Sequence, residues 1–196
     1  MNNKTLYIIA GCNGAGKTTA SYTVLPEVWQ CREFVNADEI AKGLSPFNPE
    51  SVAIEAGKLM LLRINELLKA EETFSIETTL STKSYQNLIE RAHANGYQVK
   101  LIFFWLDSSE TAIKRVAQRV REGGHNIPTE VIIRRYWAGI NNLFDIYTDK
   151  VDYWLLVNNT QGESVYIAEG GKNLSINIFD LETYNNVKTI CQKQKE

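Results

Sequence analysis

The sequence predicts an α/β fold of three layers: a central, mostly parallel sheet of about five strands, a helical lid, and a C-terminal β-hairpin followed by a helix. Three observations carry this expectation. Short apolar runs ending on glycine or polar residues alternate with longer stretches of helical periodicity, the pattern of strands joined by right-handed crossovers. A glycine-rich loop stands between the first apolar run and the first helix. The 196 residues, 44% hydrophobic and 22% charged, have the size and apolar content of one ordinary domain, so residues 1–196 are expected to form a single unit.

The elements follow in order. Residues 6–10, Leu-Tyr-Ile-Ile-Ala, form a short apolar run that stops at Gly11 and reads as a buried parallel strand. A helix is expected over residues 17–28. Residues 33–38 give a second short strand whose carboxyl end carries Asp38. Asn48 before Pro49 marks a helix start, and residues 50–70 place Ile54, Leu61 and Leu68 at helical spacing. Residues 73–78 form strand three, residues 83–95 a helix stopped by Gly96, and residues 99–106 an almost continuously apolar strand four. Helices over 108–122 and 129–147 flank the loop 123–128 and together make the lid, residues 108–147. Strand five covers 153–157. The segment 163–196 contains two short β runs around Gly170-Gly171 and then a terminal helix from about Leu181.

Composition narrows the function. A formal net charge of −2 argues against broad electrostatic capture of nucleic acid, so a polynucleotide partner is disfavoured. Cys12, Cys31 and Cys191 are odd in number and scattered, with no C-x-x-C pair, so neither a disulfide framework nor a zinc site is expected. The first ten residues are too briefly apolar for a signal-peptide core or a membrane span, which places the expectation in the cytoplasm, away from any membrane.

The strongest signal is G-x-x-x-x-G-K-T, met by Gly11-Cys12-Asn13-Gly14-Ala15-Gly16-Lys17-Thr18, with Thr19 following. It marks a P-loop NTPase or kinase-type fold. Glycines let backbone N–H groups turn inward around a phosphate, and the helix starting at Lys17 aims its positive dipole end at the anion. Lys17 is expected to bridge the β- and γ-phosphates of ATP or GTP, and Thr18 to ligate Mg²⁺.

Other candidates lie where strands end, because ligands of open parallel sheets sit beyond the carboxyl ends. Asp38 is placed to accept a proton from an attacking hydroxyl, or else caps a helix. Glu77, Thr78 and Thr79 offer a carboxylate and hydroxyls for a polyhydroxylated acceptor, or simply form a polar strand end. Asp107-Ser108-Ser109-Glu110 is read as a capping box rather than a metal-supporting acid. Lys114, Arg115, Arg119, Arg121, Arg134 and Arg135 concentrate positive charge around the loop 123–128. At least one of Arg119, Arg134 and Arg135 is expected to contact phosphate, the alternative being a solvated charged face. His125 reads as a loop residue rather than a base.

These segments together carry a resemblance. GCNGAGKTT, FVNADEIAKGLSP, FSIETTLS and RVREGGHNIPTEVIIRRYWAGINNLF, spanning residues 6–157, resemble the zeta-toxin family of P-loop kinases in its short stand-alone form. The resemblance implies phosphoryl transfer from ATP or GTP to a hydroxyl of a nucleotide-activated sugar, typically UDP-N-acetylglucosamine, and a separate antitoxin protein as partner. It implies Asp38 as catalytic base, and Glu77, Thr79 and Arg135 at the acceptor. It also implies two lid arginines, Arg119 and one of Arg134 or Arg135, on the transferring phosphate. Two other classes stay in view: a nucleotide-dependent switch or ATPase module acting on a protein, and a polynucleotide 5′-hydroxyl kinase, which would need an extended basic groove with stacking aromatics.

Overall fold

The computed structural model describes residues 4–124 and 126–193; His125 lies outside them. Its sheet has the order β2-β3-β1-β4-β5-β6-β7. The first five strands are parallel: β1 (Thr5–Gly11), β2 (Glu33–Val35), β3 (Phe74–Thr78), β4 (Gln98–Trp105) and β5 (Tyr153–Asn158). Strand β1 is buried along its whole length between β3 and β4, which is why it reads as a continuous apolar run rather than an alternating one. The chain winds from β1 outward to β2 and β3, then crosses to the other side for β4. The carboxyl end of β1 is therefore the switch point where a crevice opens.

The sheet holds seven strands rather than about five. The expected hairpin forms, as β6 (Val165–Gly171) and β7 (Leu174–Ile178), but β6 also pairs antiparallel with β5 and extends the sheet. Left uncovered, β5 would present a row of unpaired N–H and C=O groups, and the hairpin removes that edge.

Helix α1 (Lys17–Glu27) follows the glycine loop. The second strand stops three residues short of expectation, because Asn36 is a helix cap. Its backbone is extended (φ −133°, ψ 119°), and its Oδ1 accepts the Asp38 N–H at 2.8 Å, starting α2 (Ala37–Leu44). Asp38 thus sits in the first turn, not at the cap. Pro49 opens a 3₁₀ turn, Pro49–Val52, before α3 (Ala53–Lys69), so the long helix begins three residues later than its sequence suggests. Then come α4 (Tyr85–Ala94), α5 (Ser109–Arg121) and α6 (Thr129–Asn142). Helix α6 runs on as a π-turn, Leu143–Tyr147, and α7 (Leu181–Lys193) closes the chain.

At the start of α5 the cap is Ser108, whose Oγ accepts the Thr111 N–H at 3.1 Å. Asp107 accepts from the hydroxyls of Ser108 and Thr111, so its carboxylate is engaged in the turn. Among the described residues no helix is long and apolar enough to cross a membrane.

Candidate active site

The loop between β1 and α1 is fixed by its neighbours. A Cβ on Gly11 (φ 139°) would lie 2.3 Å from the carbonyl oxygen of Phe104 in β4, and one on Gly16 (φ 84°) would lie 2.6 Å from Nδ2 of Asn159. Only glycine allows β4 and Asn159 to approach this closely. Asn159 is buried just after β5, and its Nδ2 donates to the Ala15 carbonyl at 2.8 Å. Arg115 braces the same loop from α5, donating to the carbonyls of Asn159 (2.8 Å), Thr160 (2.9 Å) and Gly14 (3.4 Å).

Lys17 is buried at the start of α1. Its Nζ donates to the Cys12 carbonyl at 3.1 Å and lies 3.7 Å from Oε1 of Glu77. Thr18 donates its hydroxyl to Glu77, at 2.8 Å to Oε2 and 3.0 Å to Oε1. The Glu77 carboxylate therefore meets the two residues expected to hold phosphate and metal. Burial pushes the Cys12 thiol up to about 11, against the opposing charges of Lys17 and Arg115, so it stays neutral in the loop at physiological pH.

Two cavities border this loop and a third adjoins them, and Asp38 lines all three. One of about 250 Å³ is formed by Asn13, Gly14, Gly16, Lys17, Thr18 and Thr19 with Glu77, Arg115 and Arg119. A second, of about 180 Å³, adds Asn36, Thr78, Thr79, Tyr85 and Arg135 to Asn13, Lys17 and Glu77. The third, about 340 Å³, lies between α2 and the lid and includes Arg134 and Arg135. The Asp38 backbone is held by the Asn36 cap, while its carboxylate makes no hydrogen bond or ion pair with any described residue.

The arginines separate by what they touch. Arg119 lines the loop cavity with Nε and Nη2 buried and without a hydrogen-bond partner. Arg135 reaches Asn13 Oδ1 at 3.3 Å and lines the two other cavities. Arg134 is exposed and borders only the outer one of these three cavities. Thr79 shares a hydrogen bond with Ser81 at 2.9 Å, and its carbonyl would be 2.5 Å from a Cβ on Gly139, so α6 runs directly over the segment that follows β3.

With the loop, its glycines and its buried lysine in place, comparison with known proteins is decisive. Residues 2–169 match the Zeta toxin family. The chain belongs to that family. A Haemophilus influenzae protein described as uncharacterized is 30% identical over 136 residues, covering 69% of this chain and 94% of its own. Among solved structures, the AvrRxo1-ORF1:AvrRxo1-ORF2 complex with sulphate ions superposes with a TM-score of 0.76 at 18% identity, over 94% of this chain. This family member spans 63% of that neighbour's length. The PezAT toxin-antitoxin structure of Streptococcus pneumoniae gives a TM-score of 0.68 at 15% identity, over 100% of this chain and 89% of its own. The fold is thus that of a P-loop kinase of the Zeta toxin family.

Asn159 and the bracing role of Arg115 were not readable beforehand. Asn159 sits in a polar run after a strand, which hints at a site edge, but its partner Ala15 is 144 residues away. Likewise nothing local joins Glu77 to Thr18, 59 residues apart.

Proposed function

We propose that the protein transfers the γ-phosphate of ATP or GTP to a hydroxyl of a small molecule, with nucleotide sugars such as UDP-N-acetylglucosamine as the acceptor class favoured by family. The observation that carries this reading is the position of Asp38: an unpaired carboxylate bordering both the phosphate-loop cavity and the cavity of Thr79 and Arg135. A base between a donor site and an acceptor site suits transfer to a hydroxyl better than simple hydrolysis.

In this reading the loop N–H groups and Lys17 hold the β- and γ-phosphates. Asp38 takes the hydroxyl proton as the acceptor oxygen bonds to the γ-phosphorus and the bond to the β-phosphate oxygen breaks, leaving ADP or GDP. Arg119, with Arg134 or Arg135 from the lid, offsets charge on the transferring group, and the unpartnered donors of Arg119 suit an anion. Glu77 borders both the donor and acceptor cavities, with Thr79 and Arg135 on the acceptor side.

The oxygen donors of Thr18 and Glu77 fit Mg²⁺, which takes one or two protein groups along with phosphates and waters. When bound, it neutralises charge developing between the β- and γ-phosphates. Cys12, Cys31 and Cys191 are buried and form no disulfide among the described residues, which suits a reducing cytoplasm, where we place the reaction, and a separate antitoxin protein is the proposed partner.

The test is an acceptor screen with γ-labelled ATP against UDP-sugars, nucleosides and short oligonucleotides, with Asp38→Ala as control. Label on a sugar or nucleoside hydroxyl, lost in the variant, supports the proposal. Phosphate release without a labelled acceptor would replace it with a nucleotide-driven switch, and label only on oligonucleotide 5′ ends with a polynucleotide kinase.

A further inference from the structure

Asn36 is 5% exposed and lines the acceptor-side cavity beside Asp38, Thr79, Tyr85 and Arg135. One end of its amide is committed, since Oδ1 accepts the Asp38 N–H at 2.8 Å as the cap of α2. The other end, Nδ2, is buried and has no hydrogen-bond partner. Flipping the amide is no remedy, because it would set the NH₂ donor against the Asp38 N–H donor and lose the cap. Buried side-chain donors are ordinarily satisfied, so an orphan held in one orientation on a cavity wall marks a place where something else supplies the oxygen.

The cap serves two purposes at once. It fixes the first turn of α2, which carries Asp38, and by committing Oδ1 it leaves Nδ2 unsatisfied on a residue that lines the same cavity as Asp38 and Thr79. We infer that Asn36 is an acceptor-recognising residue whose Nδ2–H donates to a second oxygen of the acceptor, next to the hydroxyl that Asp38 deprotonates. The acceptor is then a polyol, with a neighbouring hydroxyl or ring oxygen close to the reacting one, rather than an isolated alcohol. A lone Asp38 would accept any hydroxyl that fits; the pair Asn36 and Asp38 selects one hydroxyl on a ring that carries several. This rests on the kinase reading above and adds a specificity determinant to it.

The experiment pairs each sugar in the screen with its analogue lacking one neighbouring hydroxyl, and compares the wild type with Asn36→Ser and Asn36→Asp. Both replacements keep a capping oxygen, so α2 and the melting temperature should hold, while both remove the NH₂ donor. Acceptor kcat/KM should fall roughly tenfold or more in each variant, mainly through KM, with the Kd for ATP unchanged in Asn36→Ser. The wild type should discriminate against one deoxy analogue by a similar factor, and the variants should lose that discrimination. Unchanged acceptor kcat/KM in both variants overturns the inference and leaves the kinase reading standing. A fall accompanied by lower melting temperature and weaker ATP binding also overturns it, by reducing Asn36 to a structural cap. No transfer by the wild type to any acceptor removes both.

Discussion

The two ends of the same sheet treat polar groups in opposite ways. Among the described residues at the carboxyl end, Asp38 has no side-chain partner, Arg119 has two buried donors unused, and Asn36 uses only one end of its amide. At the amino end, the Asp152 carboxylate is saturated: it accepts the Val99 N–H at 2.7 Å and bonds Nε2 of His93 at 2.9 Å and Nζ of Lys172 at 2.8 Å. The Asp152 set ties α4, β4, β5 and the hairpin together. The first end keeps groups open for bonds to a ligand, as the proposed reaction requires, while the second spends its bonds on the protein itself. Charge alone does not separate them, since both hold carboxylates and cations, and Glu77 and Arg115 at the carboxyl end are themselves partnered; what sets Asp38, Arg119 and Asn36 apart from Asp152 is that they keep groups without a mate among the described residues.

That contrast makes opposite predictions for matched substitutions. Asp38→Asn should lower kcat by about 10²- to 10⁴-fold, the usual contribution of a general base, with the melting temperature unchanged. Lys17→Ala should be at least as damaging to turnover while the fold persists, by circular dichroism and thermal melting. Full activity in either variant would remove the functional half of the comparison. Arg119→Ala should cost about 10²- to 10³-fold in kcat, on the scale of losing one preorganised charge-stabilising donor. It should leave stability unchanged or slightly raised, because it removes buried donors that have no partner in the folded chain. A large loss of stability would show that Arg119 belongs with the structural set.

Much of this was legible from residue order, and what was not has a physical reason. The loop Gly11 to Thr18 announces itself because its chemistry is local: the glycines, the lysine and the helix start are contiguous. The strand-to-helix switch at Asn36 was not, since Asn-Ala-Asp after a short apolar run serves equally as a strand exit or a cap, and only the Oδ1 bond to Asp38 N–H decides. The β6-β7 hairpin was visible in its turn glycines, but its pairing to β5 depends on an edge the sequence does not display. Glu77 was a candidate from its place at the end of β3, but its bond to Thr18, like that of Asn159 to Ala15, joins residues far apart in sequence and emerges only where the fold brings them together.

The structural half of the comparison is tested at Asp152. Asp152→Ala leaves the Val99 N–H, His93 and Lys172 without their acceptor at a position about a quarter exposed, since the Asp152 side chain retains 28% of its surface. The expected loss is about 2 kcal/mol, or roughly 5 °C in melting temperature for a chain of this size. Below the melting temperature kcat should match the wild type, because no Asp152 contact reaches the loop. Reduced turnover in a fully folded variant would mean that the two ends are coupled and the division drawn between them is wrong.

The smallest effect is also the most diagnostic, because its direction with pH is fixed. Partial burial raises the Asp152 pKa, but Lys172, the Val99 N–H and His93 outweigh it, so in the folded protein the carboxyl sits below its ordinary value. A carboxyl depressed on folding adds stability that is fully present above the unfolded pKa, about 3.9, and is lost as pH falls through the folded one. The melting-temperature gap between wild type and Asp152→Asn should therefore narrow as pH falls below about 5 and close toward pH 3 or below. A gap that persists unchanged in acid would mean that the ionised carboxylate contributes nothing, and that the amide of the variant supports Val99 equally well.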